Sequence, residues 1–201
     1  MLRLLPSAAI AIVLVVAQPC AGTAQTLSAT TDERIPVFRV EVWADISTEF
    51  AVRVNTYVEL RRRIESGLPD VTVTDDVSQL RRSRQSLARA IRVARPAAAQ
   101  GEFFTPATSA QFLLVLSRLM DAKMWAVIMD DNPGGFRRDI DGTYPDGKAF
   151  ATMPGRVLAE LPELPDDIQF RFAGRHLILY DVRANTIIDR MPDAIRCTCD
   201  N

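Results

Sequence analysis

Apolar positions recur at helical spacing through the first two thirds of the chain and alternate with polar ones near its end. Over residues 46–67, Phe50, Val54, Tyr57, Ile64 and Leu68 fall near one face, and Gly67 is a plausible stop. Pro69 to Thr74 reads as a connector. Asp75 or Asp76 can cap a second helix that must end before Pro96. In it Leu80, Leu87, Ile91 and Ala94 gather on one side. Arg81, Arg82, Arg84, Arg89, Arg92 and Arg95 are expected on the other, facing water. Thr105 before Pro106 marks a third start: the hydroxyl accepts an orphan amide, and proline loses no bond in the first turn. Phe112, Val115, Leu116, Leu119 and Met120 then form a broad apolar face, which makes this the expected central helix. It reaches toward Met129, with a break near Asp121 to Lys123.

Asn132 to Gly147 is loop by composition, and a short helix can follow Pro154 through Val157 to Leu161. Beyond it the period changes to two. Ile168, Phe170 and Phe172 alternate with Gln169 and Arg171, and Ala173-Gly174 marks a turn. Leu177 to Val182 is a second strand, Ala184-Asn185 a second turn, and Thr186 to Arg190 a third strand. The expected fold is α+β: about three main helices packed with a three-stranded antiparallel meander, since such a sheet needs an apolar partner. Ile35 to Trp43 fits both periods, and strand and helix stay open there.

The chain opens with a different pattern. One positive charge at Arg3, an apolar run from Ala8 to Ala17 and a small-residue exit at Gly22-Thr23-Ala24 are the parts of a secretory signal peptide. The run is about half the ~20 residues that span a bilayer. A cut after Ala24 leaves Gln25 as the first residue, whereas a cut after Ala17 would keep Cys20. Pro19 stands where lipoprotein processing needs a small residue, so Cys20 is not expected to be acylated. The later apolar run, Ala110 to Met129, carries Arg118, Asp121 and Lys123 in its middle, each costing roughly 2.5–3.5 kcal/mol at a bilayer centre, so no transmembrane anchor is expected after cleavage. The expected organisation is a signal peptide at 1–24, a flexible or irregular leader at 25–45, one α+β domain at 46–195 and a tail at 196–201. The expected location is periplasmic or secreted.

Charge changes little of this. The net charge is −1, and −2 without the signal, so nothing draws the whole molecule to nucleic acid. The distribution is uneven: residues 46–95 carry ten Arg against six acids, and residues 130–201 carry thirteen acids against nine bases.

Two stretches resemble an uncharacterised family of short exported bacterial proteins. One is Gln100-Gly101-Glu102-Phe103-Phe104-Thr105-Pro106 after the arginine-rich helix. The other is Leu161-Pro162-Glu163-Leu164-Pro165 followed by Phe170 to Arg175 and Leu177 to Asp189. The similarity spans roughly residues 46 to 195. It implies a bacterial envelope address and one compact domain. It carries no known activity, so no functional residue transfers.

Candidate chemistry is sparse. Cys197 and Cys199 could close a small ring, pair with another chain or hold a soft metal in an oxidising compartment, although a frayed tail explains them as well. His176 is the sole histidine. No Gly-x-Ser-x-Gly elbow accompanies it, so it is expected to be a strand-edge residue with a local hydrogen bond. Asp139 to Gly147 fails the EF-hand pattern, with Tyr144 where the glycine belongs and Phe150 where the final glutamate belongs. Arg81, Arg84, Arg89, Arg92 and Arg95 could meet an anionic partner or form a solvated face. No cofactor or metal is expected. The implied protein is a non-catalytic binding or structural module whose partner is an unknown envelope protein or polymer. The alternative is a hydrolase using carboxylates of the 130–166 region, from Asp130, Asp131, Asp139, Asp141 or Glu163, which sequence spacing alone does not bring together.

Overall fold

A computed structural model of the chain describes residues 37–69, 76–130, 132, 137–149, 151 and 153–195. The signal segment, Asp131 and the Cys197/Cys199 pair lie outside the described residues. The first helix, α1, runs Val37–Ser66. The ambiguous stretch is therefore helical from Val37, and the expected irregular leader is helix over residues 37–45. Trp43 supplies a physical reason: its ring lies 6.0 Å from that of Phe112, so tertiary packing holds this part of α1.

Helix α2, Val77–Ala94, starts where Asp76 accepts the Ser78 amide at 2.8 Å. Helix α3, Pro106–Leu119, is capped by the Thr105 hydroxyl with Pro106 in its first turn. The expected break falls at Met120-Asp121. Met120 has extended backbone there, and Asp121 Oδ1 accepts the Met124 amide at 2.8 Å to start α4, Ala122–Asp130. A single turn, α5, occupies Gly155–Leu158.

Among the described residues the expected three-stranded meander is present as β2 Ile168–Ala173, β3 His176–Asp181 and β4 Thr186–Met191, and a two-residue strand, β1 Gly142–Thr143, pairs with its β4 edge, giving the order β1-β4-β3-β2, antiparallel throughout. Two residues cannot show a period, so β1 was invisible in a loop-like composition. One sheet face packs on the helices. Phe50 of α1, Phe104, Phe112 of α3 and Phe170 of β2 form a mutual aromatic cluster with every pair of ring centroids within 6.5 Å. The opposite face carries a smaller cluster of Tyr144, Ala173, Ile178, Tyr180 and Ile187.

A bulge in β4 sets the site geometry. Leu179 pairs with Asp189 but Tyr180 pairs with Ile187, so Ile188 is the extra residue. Ile188 joins the helix-side core. Asp189 reaches the segment before α3 from the same side.

Candidate functional site

Buried charge concentrates where α1, the end of α2 and the sheet meet. Arg61 lies four residues after Tyr57 and seven after Val54, on the inward stripe of α1, and is buried. Its Nη1 donates to Asp181 Oδ1 at 3.2 Å and its Nη2 to Asp167 Oδ2 at 3.1 Å. The Tyr57 hydroxyl donates to Asp181 Oδ2 at 2.7 Å. Backbone amides of Arg183 and Ala184 donate to Asp181 Oδ1 at 2.8 and 3.0 Å. This fully buried carboxylate is thereby satisfied, which is the condition for keeping a charge inside. Burial, and then the charge of Asp181, push the Tyr57 hydroxyl well above its ordinary range, so it stays a proton donor.

Arg95 forms the second half. Its guanidinium stands 5.2 Å from the Tyr57 ring centroid and 5.6 Å from that of Phe103. Nη1 binds Asp141 Oδ1, and Nη2 donates to Glu102 Oε2 at 2.7 Å. Asp141 is buried in a left-handed conformation (φ 54°), and its Oδ2 has no partner. Burial raises its pKa to about 6 despite the opposing charge of Arg95. Nearby, Asp189 accepts the amide of Gly101 at 2.9 Å on Oδ1, and those of Phe103 and Phe104 at 2.8 and 2.9 Å on Oδ2. The conspicuous Gly101-Glu102-Phe103-Phe104 stretch is thus folded around the Asp189 carboxylate and two guanidinium groups, that of Arg95 and that of Arg53, whose Nη1 donates to the Glu102 carbonyl at 2.9 Å.

Sequence pattern predicted none of Arg61, Asp181 or Asp189 as interior groups. A signal existed for Asp189, an acid inside the apolar run of β4, but its receptors lie far away in sequence.

The predicted arginine face needs correction. Arg95, with a side chain 7% exposed, is an interior residue. Arg84 is half-buried. The reason is angular: Arg84 precedes Leu87 by three, and Arg95 follows Ile91 by four, so both lie along the apolar stripe. Leu80 and Ala94, expected inside, are exposed at the two ends of α2. Arg81 pairs with Asp146 at 3.4 Å and Arg82 with Asp76 at 3.7 Å. Arg84, Arg89 and Arg92 form no ion pair with a carboxylate among the described residues.

Asp130 is exposed at the end of α4, Asp139 pairs with Arg137 at 3.0 Å, Asp141 is held by Arg95, and Glu163 is exposed. Asp139, Asp141 and Asp146 of the rejected calcium loop each face an arginine. Among the described residues no group of three or more His, Cys, Asp or Glu is placed to hold a metal ion. His176 opens β3. Its Nδ1 is buried without a hydrogen bond, contrary to expectation, and burial, with Arg138 and Arg190, lowers its pKa.

Two surface depressions stand out. One lies between α2 and the β1/β4 side of the sheet, with Leu80, Arg81 and Arg84 on one wall and Asp146 and Asn185 on the other. The second is apolar, on α3 and α4, lined by Leu113, Leu114, Ser117 and Trp125. No described helix is long and apolar enough to cross a membrane. The chain matches no known protein family, no curated protein and no solved structure. Fold and site define an α+β domain with an interior arginine–carboxylate network and a basic second helix.

Proposed function

We propose that this is an exported bacterial envelope protein that acts as a non-catalytic binding module, taking an acidic partner on α2. The observation that carries this reading is the absence of ion pairs at Arg84, Arg89 and Arg92 among the described residues, while Arg81, Arg82 and Arg95 of the same segment are engaged. Guanidinium groups in no direct ion pair with a described carboxylate are suited to an external carboxylate or phosphate. Export is supported by the pattern of residues 1–24, and the resemblance to exported bacterial proteins belongs to the same proposal. Carboxylate hydrolysis has less support, because Asp139 and Asp141 each face an arginine and Asp130 and Glu163 are exposed.

Binding of fluorescent poly-L-glutamate at low ionic strength tests the reading. Replacing Arg89 and Arg92 together with Gln is expected to weaken binding about fivefold to tenfold, since each exposed charge contributes up to ~1 kcal/mol. Unchanged affinity would exclude Arg89 and Arg92 as an acid-binding face, and no binding by the wild type would exclude α2 altogether.

A further inference from the structure

Arg84 is half-buried. It lies on the inward stripe of α2 in the depression shared with the β1/β4 side of the sheet, and no described carboxylate pairs with it. Its charge bears on the Tyr180 hydroxyl. That hydroxyl donates to Asn185 Oδ1 at 2.6 Å, and Asn185 Nδ2 donates to the Tyr144 carbonyl at 3.0 Å, so the opposite wall is fixed by hydrogen bonds. A guanidinium drawn out of bulk water without a counter-ion is an incomplete interaction. Across the depression, Arg81 meets Asp146 at 3.4 Å, with both side chains more than half exposed. That pair is weak and replaceable. Val77 and Leu80 line the same depression although both are exposed apolar residues. The cavity volume is about 120 Å³, room for one small group.

We infer that this cleft is a site for a carboxylate on a short apolar stem, with Arg84 as the principal cation, Arg81 as the second, and Val77 and Leu80 against the stem. Asp146 occupies Arg81 when the site is empty, so the incoming carboxylate competes with it. The chemistry is shared by a free short-chain carboxylic acid and by a glutamate side chain of a partner chain. This inference rests on α2 as the acid-binding helix.

Calorimetric titration of the full-length protein with glutarate and with poly-L-glutamate separates the possibilities. Glutarate is expected to bind the wild type, to lose at least about tenfold in R84Q, the loss of a charge-assisted pair, and to bind a few-fold more tightly to D146N, where Arg81 is released. Because Asp146 is exposed, D146N reports on the site even if R84Q unfolds. Polyglutamate that binds more tightly per site than glutarate, with the same dependence on Arg84, assigns the carboxylate to a partner chain. Equal affinity assigns it to a free acid. If D146N binds neither probe, or R84Q remains folded and binds both as the wild type does, the cleft is not a carboxylate site. Polymer binding that survives in R84Q but falls in the Arg89/Arg92 variant would overturn the cleft and leave the acid-binding face standing.

Discussion

Asp189 shows how one side chain organises a distant segment. Its two oxygens accept the amides of Gly101, Phe103 and Phe104 and also that of Arg190 at 2.7 Å. Asp189→Ala would leave three loop amides unsatisfied, and a buried donor without a partner costs about 1–3 kcal/mol. The expected loss is roughly 3–5 kcal/mol in urea unfolding, at the high end for a single substitution. Asp189→Asn should recover part of it, because one oxygen remains to accept. Gly101 adopts φ 89° at the start of the same segment, so Gly101→Ala should cost about 1–2 kcal/mol through backbone strain alone. At this scale the sequence marked the segment as unusual but not its cause. The side-chain acceptor of the Gly-Glu-Phe-Phe string, the Glu102 carboxylate, is taken by Arg95, and the acceptor for its amides comes from β4.

Among the elements, α2 is the one whose outline and whose role diverge most. Its cap, narrowed by sequence to Asp75 or Asp76, and its end before Pro96 were legible because both are local. The destination of Arg95 was not, because it depends on Asp141 and Glu102. Arg95 ties the end of α2 to the turn before β1, and Asp141 makes that tie pH-sensitive. The groups bearing on Asp141 are Arg95, Arg92, Glu102 and Asp189. Its folded pKa of about 6 lies above the ~3.9 of an unfolded aspartate. Between those values the folded chain holds a proton that the unfolded chain has released. This contribution to stability is therefore full below pH ~4 and is lost as pH rises through about 6. The melting temperature of the wild type minus that of Asp141→Asn should fall as pH rises from about 4 to 7. A constant difference would show that Asp141 titrates normally.

At the scale of the molecule, helices and sheet share one core. Phe112 of α3 touches Phe50, Phe104 and Phe170 at 5.4–5.8 Å, joining α1, the loop before α3, and β2. Phe112→Ala should cost about 3–5 kcal/mol. Far-ultraviolet dichroism and the combined fluorescence of Trp43, whose ring contacts Phe112, and Trp125, whose ring contacts Phe172, should then still report one shared transition at lower temperature. Separate helix and sheet transitions would contradict a common core. The order of helices before strands, the caps at Asp76 and Thr105, and the period-two strands were determined by the sequence itself. Each depends on neighbours within a turn or on alternation within one strand. The tertiary structure alone decided where the charges go. Arg61 and Asp181 are 120 residues apart, Gly101 and Asp189 are 88 apart, and Arg95 and Asp141 are 46 apart. A buried charge is tolerable only beside its partner, and no local pattern records which distant residue that will be. Arg95 follows that rule in the interior beside Asp141 and Glu102, whereas Arg84, on the same stripe, is half-buried in a cleft with no described carboxylate paired to it.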